Sequence, residues 1–215
     1  MNKTQNTCWV CPKINHHDIS MFVYRNGCWY KEKDYPKNPH RLIQLVCSQD
    51  ESIIIATFTT GYILWRVDVV GEHTIVLKLP SGLRNIATKM NKSNKCVLSA
   101  RNQYAIAGIR KELLIWTVDN GDLVKCLDAH FARIIDLRSL TIGSWNCIIT
   151  SSIDRTVKVW NMNYIFEQVH HIDRHELPIE AVSLSTDAGI AVVVTRNCIG
   201  IWDLLTGNYI QDFLS

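Results

Sequence analysis

The sequence predicts an all-β fold made of about four similar units, each a four-stranded sheet, stacked radially. The first observation is a repeat, because tryptophans that end short β-rich runs recur at intervals of 51, 44 and 42 residues: Trp65, Trp116, Trp160 and Trp202. The second is that three further β-rich runs, bounded by turn residues, accompany each tryptophan. The third is that several runs are continuously aliphatic, as in strands whose sheet is covered on both faces.

The predicted strands follow one another in chain order. The first unit has strands at 41–48, 52–58, 61–65 and 73–79, and the second at 84–91, 104–109, 111–116 and 121–127. The third has them at 133–140, 146–152, 155–160 and 166–172, and the fourth at 179–186, 190–195, 197–202 and 207–213. A short helix over residues 161–175 is the one competing prediction, and the regular succession of predicted strands on either side disfavours it.

Composition and charge exclude several classes of protein. The 215 residues suffice for one large domain or two small ones, and 47% hydrophobic with 20% charged residues is ordinary for a globular chain. A net charge of +3 is too small to imply a nucleic acid or an acidic membrane as partner. The chain contains neither an apolar run long enough to span a bilayer nor a secretory signal, so we expect a cytoplasmic protein.

The eight cysteines are interpreted for a reducing compartment, where disulfides are rare. Five of them lie in or beside aliphatic runs, and we expect these to be packing residues: Cys47, Cys96, Cys126, Cys147 and Cys198.

The third unit contains the segment SSIDRTVKVWN, in which Asp154 stands six residues before Trp160. Together with GDLVKCLDAH ahead of it, this segment resembles the WD-repeat β-propeller family over about residues 38–215, with Asn161 in place of the family's final aspartate. The resemblance implies a hydrogen-bonded chain of a histidine, a strand hydroxyl, the turn aspartate and the tryptophan. In this sequence those would be His130, Thr150 (or Ser152), Asp154 and Trp160.

Histidine, aspartate and a hydroxyl residue are also the parts of a hydrolytic triad. A triad needs an exposed nucleophile and an oxyanion hole. The indole N–H, which is only a donor, would instead end a chain of bonds inside the sheet. A buried and satisfied network locks a turn and performs no chemistry, so we expect a structural role and no enzyme activity.

The other units depart from this motif at the position of the aspartate. Arg196 stands six residues before Trp202, and Arg110 and Thr59 occupy the same offset in the second and first units. Only the third unit is therefore expected to have a complete network.

The last hundred residues are also similar to the WD-repeat region of the NACHT and WD repeat domain-containing proteins. Those proteins pair a nucleoside-triphosphatase module with propellers, so the resemblance implies a sensing, autoinhibiting or scaffolding region attached to a nucleotide-binding module. The chain itself has no G-x-x-x-x-G-K-[ST] motif, and we expect no cofactor in it.

Residues 1–37 fit the repeat poorly and are expected to be a separate segment or an incomplete blade. Cysteine and histidine cluster there, in ligand types that could hold zinc: Cys8, Cys11, His16, His17 and Cys28. No second closely spaced ligand pair accompanies them. The competing interpretation is a hairpin, because Arg25, Asn26 and Gly27 separate two β-rich runs.

Two classes of function follow from these patterns. The first is a non-catalytic protein-interaction scaffold, in which residues 88–103 form a basic loop for an acidic partner through Lys89, Lys92, Lys95 and Arg101. The second is a zinc protein or enzyme centred on the N-terminal cysteines and histidines. Because propellers have four to eight blades, we further expect an incomplete ring whose two end faces expose aliphatic surface, and hence a fragment of a longer protein.

Overall fold

The structure is a computed structural model that describes residues 6–10, 20–25, 28–34, 42–48, 50, 52–68, 71–83, 95–142, 144–163, 166–185 and 188–214. For residues 6–10, 20–25, 28–34, 67–68, 71–72, 142 and 214 it describes the backbone alone. The described residues contain nineteen strands, and residues 81–83 are helical.

Sixteen strands form four antiparallel sheets, and in each sheet neighbouring strands are consecutive in the chain. The first blade consists of β4 (Leu42–Cys47), β5 (Ile53–Phe58), β6 (Gly61–Asp68) and β7 (Gly71–Leu77). The second consists of β8 (Cys96–Leu98), β9 (Tyr104–Ile109), β10 (Glu112–Thr117) and β11 (Leu123–Asp128). The third consists of β12 (Ile134–Ile142), β13 (Trp145–Ser152), β14 (Val157–Asn161) and β15 (Glu167–Ile172), and the fourth of β16 (Ala181–Ser185), β17 (Ile190–Val194), β18 (Cys198–Asp203) and β19 (Tyr209–Leu214).

This architecture confirms the predicted fold class, an open propeller of four four-stranded blades. The tryptophans lie where the repeat predicts, on the third strand of each blade. In the described part of 161–175 the predicted strand is present as β15 and the competing helix is not, because Val169 and Ile172 belong to a run that pairs with β14. One local prediction is wrong. The first strand of the second blade, expected at 84–91, is instead β8, which lies inside the predicted loop 88–103, and residues 84–91 fall outside the described residues.

Three further strands precede the first blade and form a sheet in the order β1 (Asn6–Val10), β2 (Ser20–Arg25) and β3 (Cys28–Asp34). Strands β2 and β3 pair through Arg25 and Cys28, on either side of residues 26 and 27 where the sequence suggests a hairpin.

The core lies between successive blades, because each sheet presents apolar side chains to the next. Ile55 and Leu64 of the first blade pack with Trp116 of the second, and Ile106 of the second packs with Ile148 of the third. A further cluster joins the third and fourth blades through residues that include Ile149, Val159, Val193 and Trp202. Burial on both faces explains why these strands are aliphatic without alternation.

The turns between third and fourth strands also bind neighbouring blades together. Gly121 has a φ of +74°, and a Cβ at this position would lie 2.4 Å from Ile75 of the preceding blade. Gly207 has a φ of +73°, and its Cβ would lie 2.5 Å from His170. Both positions therefore require glycine for two reasons, the left-handed backbone and the close approach.

The two ends of the arc differ from each other. On the first blade, the face turned away from the second is covered, since Ile54, Phe58 and Trp65 are each 1% exposed. The expectation that both end faces expose aliphatic surface is therefore wrong for the first blade. On the fourth blade, Ile199 pairs with Phe213 on the outward face, and these side chains are 42% and 51% exposed.

Candidate functional site

Four polar side chains meet inside the third blade, three of them from a short segment of the chain and the fourth from a more distant connection. His130 lies in the connection between β11 and β12, and Asp154 lies in the turn between β13 and β14. Thr150 is on β13 and Trp160 on β14, and the register pairs Trp160 with Ile148. Because side chains alternate along a strand, Thr150 then points to the same face as Trp160.

The four residues are joined by a continuous chain of hydrogen bonds, which we call the clasp (His130, Thr150, Asp154 and Trp160). The indole Nε1–H of Trp160 donates to Thr150 Oγ1 at 2.9 Å. Thr150 Oγ1 lies 2.8 Å from His130 Nε2, and His130 Nδ1 lies 3.0 Å from Asp154 Oδ2. One assignment of protons satisfies every member: Nδ1 of the neutral imidazole donates to the carboxylate, and the hydroxyl of Thr150 donates to Nε2.

The carboxylate of Asp154 has further partners that the sequence does not reveal. Thr156 donates to Asp154 Oδ1 through its hydroxyl at 2.6 Å and its backbone N–H at 3.0 Å. The N–H of Phe131 donates to Asp154 Oδ2 at 2.9 Å. Ser152, the alternative to Thr150, instead accepts a bond from the N–H of Asp154 at 3.1 Å. The clasp thus ties the β13–β14 turn to the segment that enters the blade.

Burial and hydrogen bonding determine the charges of the clasp. Burial lowers the pKa of His130 to about 4, although the neighbouring Asp154 carboxylate opposes this change. Burial alone would raise the pKa of Asp154, but the hydrogen bonds from Thr156, the attraction of His130 and the bond from Phe131 together lower it to about 2. At neutral pH the clasp therefore holds a neutral imidazole and a carboxylate.

This geometry differs from that of a hydrolytic triad. The only hydroxyl on His130 Nε2 is that of Thr150, which is fully buried and already bonded to Trp160. An attacking hydroxyl must reach a substrate carbonyl beside an oxyanion hole. The clasp holds its hydroxyl between two protein groups, so the arrangement can lock a turn and cannot present a nucleophile.

In the second and fourth blades the indole of the third-strand tryptophan has different surroundings. In the second blade the Trp116 indole donates to the backbone oxygen of Lys78 at 2.9 Å. In the fourth blade Ala191 pairs with Trp202, so Val193 occupies the place that Thr150 has in the third. The indole nitrogen of Trp202 and Nε2 of His175 are buried there without a hydrogen-bond partner.

The residues of the predicted basic loop do not form one patch in the part of it that the structure describes. Lys89 and Lys92 lie outside the described residues. The ammonium of Lys95 is 2.7 Å from the carboxylate of Asp136, a buried residue of the third blade. Arg101 is exposed in the turn between β8 and β9, at the opposite end of the strand from Lys95.

The zinc hypothesis also concerns side chains that the structure does not describe: Cys8, Cys11, His16, His17 and Cys28. Within the described residues, no group of three or more His, Cys, Asp or Glu side chains could hold a metal ion. Burial raises the pKa of the thiols of Cys96 and Cys147 to about 12, so these two are inert packing residues. Cys126 is exposed on the outer strand β11, and its assignment as a packing residue is wrong.

An exposed apolar surface adjoins the clasp, and the sequence gives no signal for it. Phe131 is 90% exposed although its N–H is held by Asp154, and Ile153 is 42% exposed in the neighbouring turn. Backbone bonds hold the surrounding turns together, from Ile134 N–H to Arg110 O and from Ile153 N–H to Arg133 O. We call this region the Phe131 surface: Arg110, Phe131, Arg133, Ile153 and Arg155.

The blades are four-stranded and follow one another along the chain, and each has a tryptophan on its third strand. The third blade also has the His-Thr-Asp-Trp clasp. Together these features define a WD-repeat β-propeller. Comparison with known proteins agrees. Residues 169–215 match the family model described as the NWD2 C-terminal beta-propeller. WD repeat-containing protein 18 of Danio rerio is 22% identical over 122 residues, which are 52% of this chain and 28% of that protein.

A solved structure of U3-55K superposes with a TM-score of 0.62 at 20% identity, over 83% of this chain and 53% of that one. At this level of identity the likeness concerns the fold. The chain thus spans 28% of the length of the curated relative and about half of the structural neighbour. Within the described residues, no helix is both long and apolar enough to cross a membrane.

Proposed function

We propose that this chain is a non-catalytic protein-interaction module, and that partners bind at the end of the blades that carries the clasp. The observation that carries the proposal is the exposure of Phe131 on a rigid support. A side chain that is 90% exposed normally sits on a mobile loop, whereas the backbone N–H of Phe131 donates to the carboxylate of Asp154 in the clasp.

The composition of the Phe131 surface supports this function. Aromatic and arginine side chains are enriched in protein interfaces, and hot spots combine them in just this way. Phe131 and Ile153 supply exposed apolar area, while Arg110, Arg133 and Arg155 are exposed around them. A partner that offers an apolar pocket with acidic residues on its rim would match both features.

The test compares partner capture by variants of the full chain. Phe131→Ser combined with Ile153→Ser should reduce recovery of specific partners at least tenfold, because a central aromatic anchor is worth about 2 kcal/mol or more. Leu205→Ser is the matched control, since Leu205 is 55% exposed but lies in the β18–β19 turn at the other end of the blades. An unchanged partner set in the Phe131 variant would remove this surface from the proposal.

A second proposal concerns the basic segment that the sequence singles out. Charge reversal at Lys89, Lys92 and Arg101 should weaken binding of an acidic partner if this segment contributes a contact. Lys95 is best left unchanged in that experiment, because its ion pair with Asp136 supports the fold.

We further infer that the chain is part of a larger cytoplasmic protein related to the NACHT and WD repeat domain-containing proteins, in which the propeller regulates an attached nucleotide-binding module. The match of the fourth blade to the NWD2 propeller model supports the relationship. The free cysteines of the described residues accord with a reducing compartment. Sequencing of the full-length transcript tests the inference, which requires coding sequence for a nucleoside-triphosphatase module.

A further inference from the structure

The fourth blade contains a cavity of about 400 Å³ where its clasp is incomplete. It is bounded by the segment that enters the blade, by the β17–β18 turn and by strands β18 and β19, through residues that include Arg174, His175, Glu176, Gly200, Trp202 and Asp212. Volumes of this size are those of small-molecule and side-chain binding sites. The Phe131 surface lies on the second and third blades and adjoins this cavity through a bond from the Arg155 guanidinium to the Glu176 backbone oxygen at 3.4 Å.

In the third blade, a lysine side chain occupies the place that corresponds to this cavity. There Lys158 pairs with Thr150 on one side and His171 on the other, and its ammonium donates to the Ala129 carbonyl at 2.6 Å. The Lys158 ammonium also lies 5.9 Å from the centre of the Trp160 ring. The aminoalkyl chain of Lys158 thus covers the clasp of its own blade.

In the fourth blade, Gly200 pairs with Val193 and with Asp212, which places it where Lys158 stands in the third. A Cβ on Gly200 would lie 3.1 Å from Trp202 Nε1 and 3.3 Å from His175 Cε1. Glycine therefore removes the aminoalkyl chain, and it allows these two rings to lie close to the backbone of β18.

Two buried polar atoms at this place have no hydrogen-bond partner, the indole nitrogen of Trp202 and Nε2 of His175. Trp202 is only 6% exposed, so its N–H is a buried donor that lacks an acceptor. A buried donor without a partner costs free energy, so this blade lacks the bond that Thr150 supplies in the third.

The charges around the cavity favour a cation. Asp212 replaces His171 as the cross-strand neighbour, and Glu176 adds a second carboxylate, against the single guanidinium of Arg174. That guanidinium is stacked on Tyr209, with Cζ 4.1 Å from the ring centre. Burial lowers the pKa of His175, which keeps its imidazole neutral at pH 7 and removes a source of repulsion.

We propose that this cavity binds a lysine side chain of a partner protein, with its ammonium near the carboxylate of Asp212. The partner lysine would supply from outside the aminoalkyl chain that Lys158 supplies within the third blade.

The probe for the test is Nα-acetyl-lysine N-methylamide, titrated into the full chain while the indole N–H resonance of Trp202 is followed by NMR. A ligand of this size should bind with a dissociation constant on the order of 1 mM. The norleucine analogue, which lacks the ammonium, should bind at least tenfold more weakly. Equal binding of the two probes, or no shift of the Trp202 resonance, would overturn the proposal.

Two variants locate the site. Gly200→Lys fills the cavity with an internal aminoalkyl chain and should abolish binding of the probe. Asp212→Asn, at an exposed strand position, should weaken binding about tenfold, whereas Glu167→Gln makes the same change of charge on the third blade and should leave binding unaltered. Equal affinities of the Asp212 and Glu167 variants would show that the ammonium binds elsewhere and would overturn the assignment.

Discussion

The indole N–H of Trp160 donates to the hydroxyl oxygen of Thr150 at 2.9 Å, between strands that are ten residues apart at this point. The same oxygen is 2.8 Å from His130 Nε2, so one buried hydroxyl satisfies two rings. The fourth blade has the two corresponding rings, Trp202 and His175, but Val193 in place of the threonine. The two blades therefore form a natural comparison of the clasp with and without its central hydroxyl.

The variant Thr150→Val should lower the free energy of unfolding by about 1–3 kcal/mol. Valine fills the same volume but leaves the Trp160 indole and His130 Nε2 buried without partners. Urea denaturation of the full chain measures the change. Thr150→Ser, which keeps the hydroxyl and loses only a methyl group, should cost about 1 kcal/mol. A serine variant no more stable than the valine variant would contradict the assigned role of the hydroxyl.

The converse substitution, Val193→Thr, should stabilise the fourth blade by about 1 kcal/mol. A hydroxyl at this position would bond to the buried indole nitrogen of Trp202 and to His175, both of which lack partners. Thermal unfolding of the two proteins compares their stabilities, and Val192→Thr, on the opposite face of the same strand, is the control. The prediction is wrong if both threonine variants have the same melting temperature.

Asp154→Ala and Trp160→Phe should each destabilise the protein by about 1–3 kcal/mol, and their effects should not add. The two side chains belong to one network through His130 and Thr150, so either variant already weakens the bonds that the other removes. A double-mutant cycle in urea measures the coupling, which we expect to be about 0.5–2 kcal/mol. Full additivity would mean that the bonds are energetically independent.

Acid should destabilise the protein through His130. Its pKa is about 4 when folded and 6.5 when unfolded, so between these values only the unfolded chain binds the proton and stability falls as the pH falls. Between pH 7 and pH 5 the loss is about 2 kcal/mol, at about 1.4 kcal/mol per pH unit below 6.5. Asp154, whose pKa is lowered to about 2, acts in the same direction below pH 4.

The measurement is the urea midpoint of the native protein and of His130→Gln at pH 7, 6 and 5. The glutamine variant should lose less stability over this range, because it has no imidazole to protonate in the unfolded state. Parallel pH profiles for the two proteins would count against a neutral, buried His130.

Lys95→Met should lower stability by about 2 kcal/mol, because it removes the ammonium that lies 2.7 Å from the buried carboxylate of Asp136. The loss should be smaller than the 3–5 kcal/mol typical of a buried charge left alone, since Arg138 and the N–H of Leu137 still bond to that carboxylate. Arg101→Met, an exposed position in the same blade, is the control and should be neutral. Equal stability of the two variants would show that the Lys95 ion pair contributes nothing.

The sequence alone determined the repeat and the number of strands in each blade. Both depend on patterns within about ten residues, such as the aliphatic runs that end at Trp116 and Trp202. For the clasp the sequence showed the spacing of Asp154 from Trp160, and it left Thr150 and Ser152 as alternatives. Local patterns of this kind encode strands because neighbouring blades bury both faces of every sheet.

The tertiary structure alone decided which polar atoms meet. The choice of Thr150 over Ser152 depends on the register of β13 against β14, and a shift of one residue would reverse their faces. The ion pair of Lys95 with Asp136, the exposure of Phe131 and the cavity beside Gly200 each depend on residues from separate turns or blades. Such contacts follow from how the blades pack on one another, and no pattern within a single strand specifies that packing.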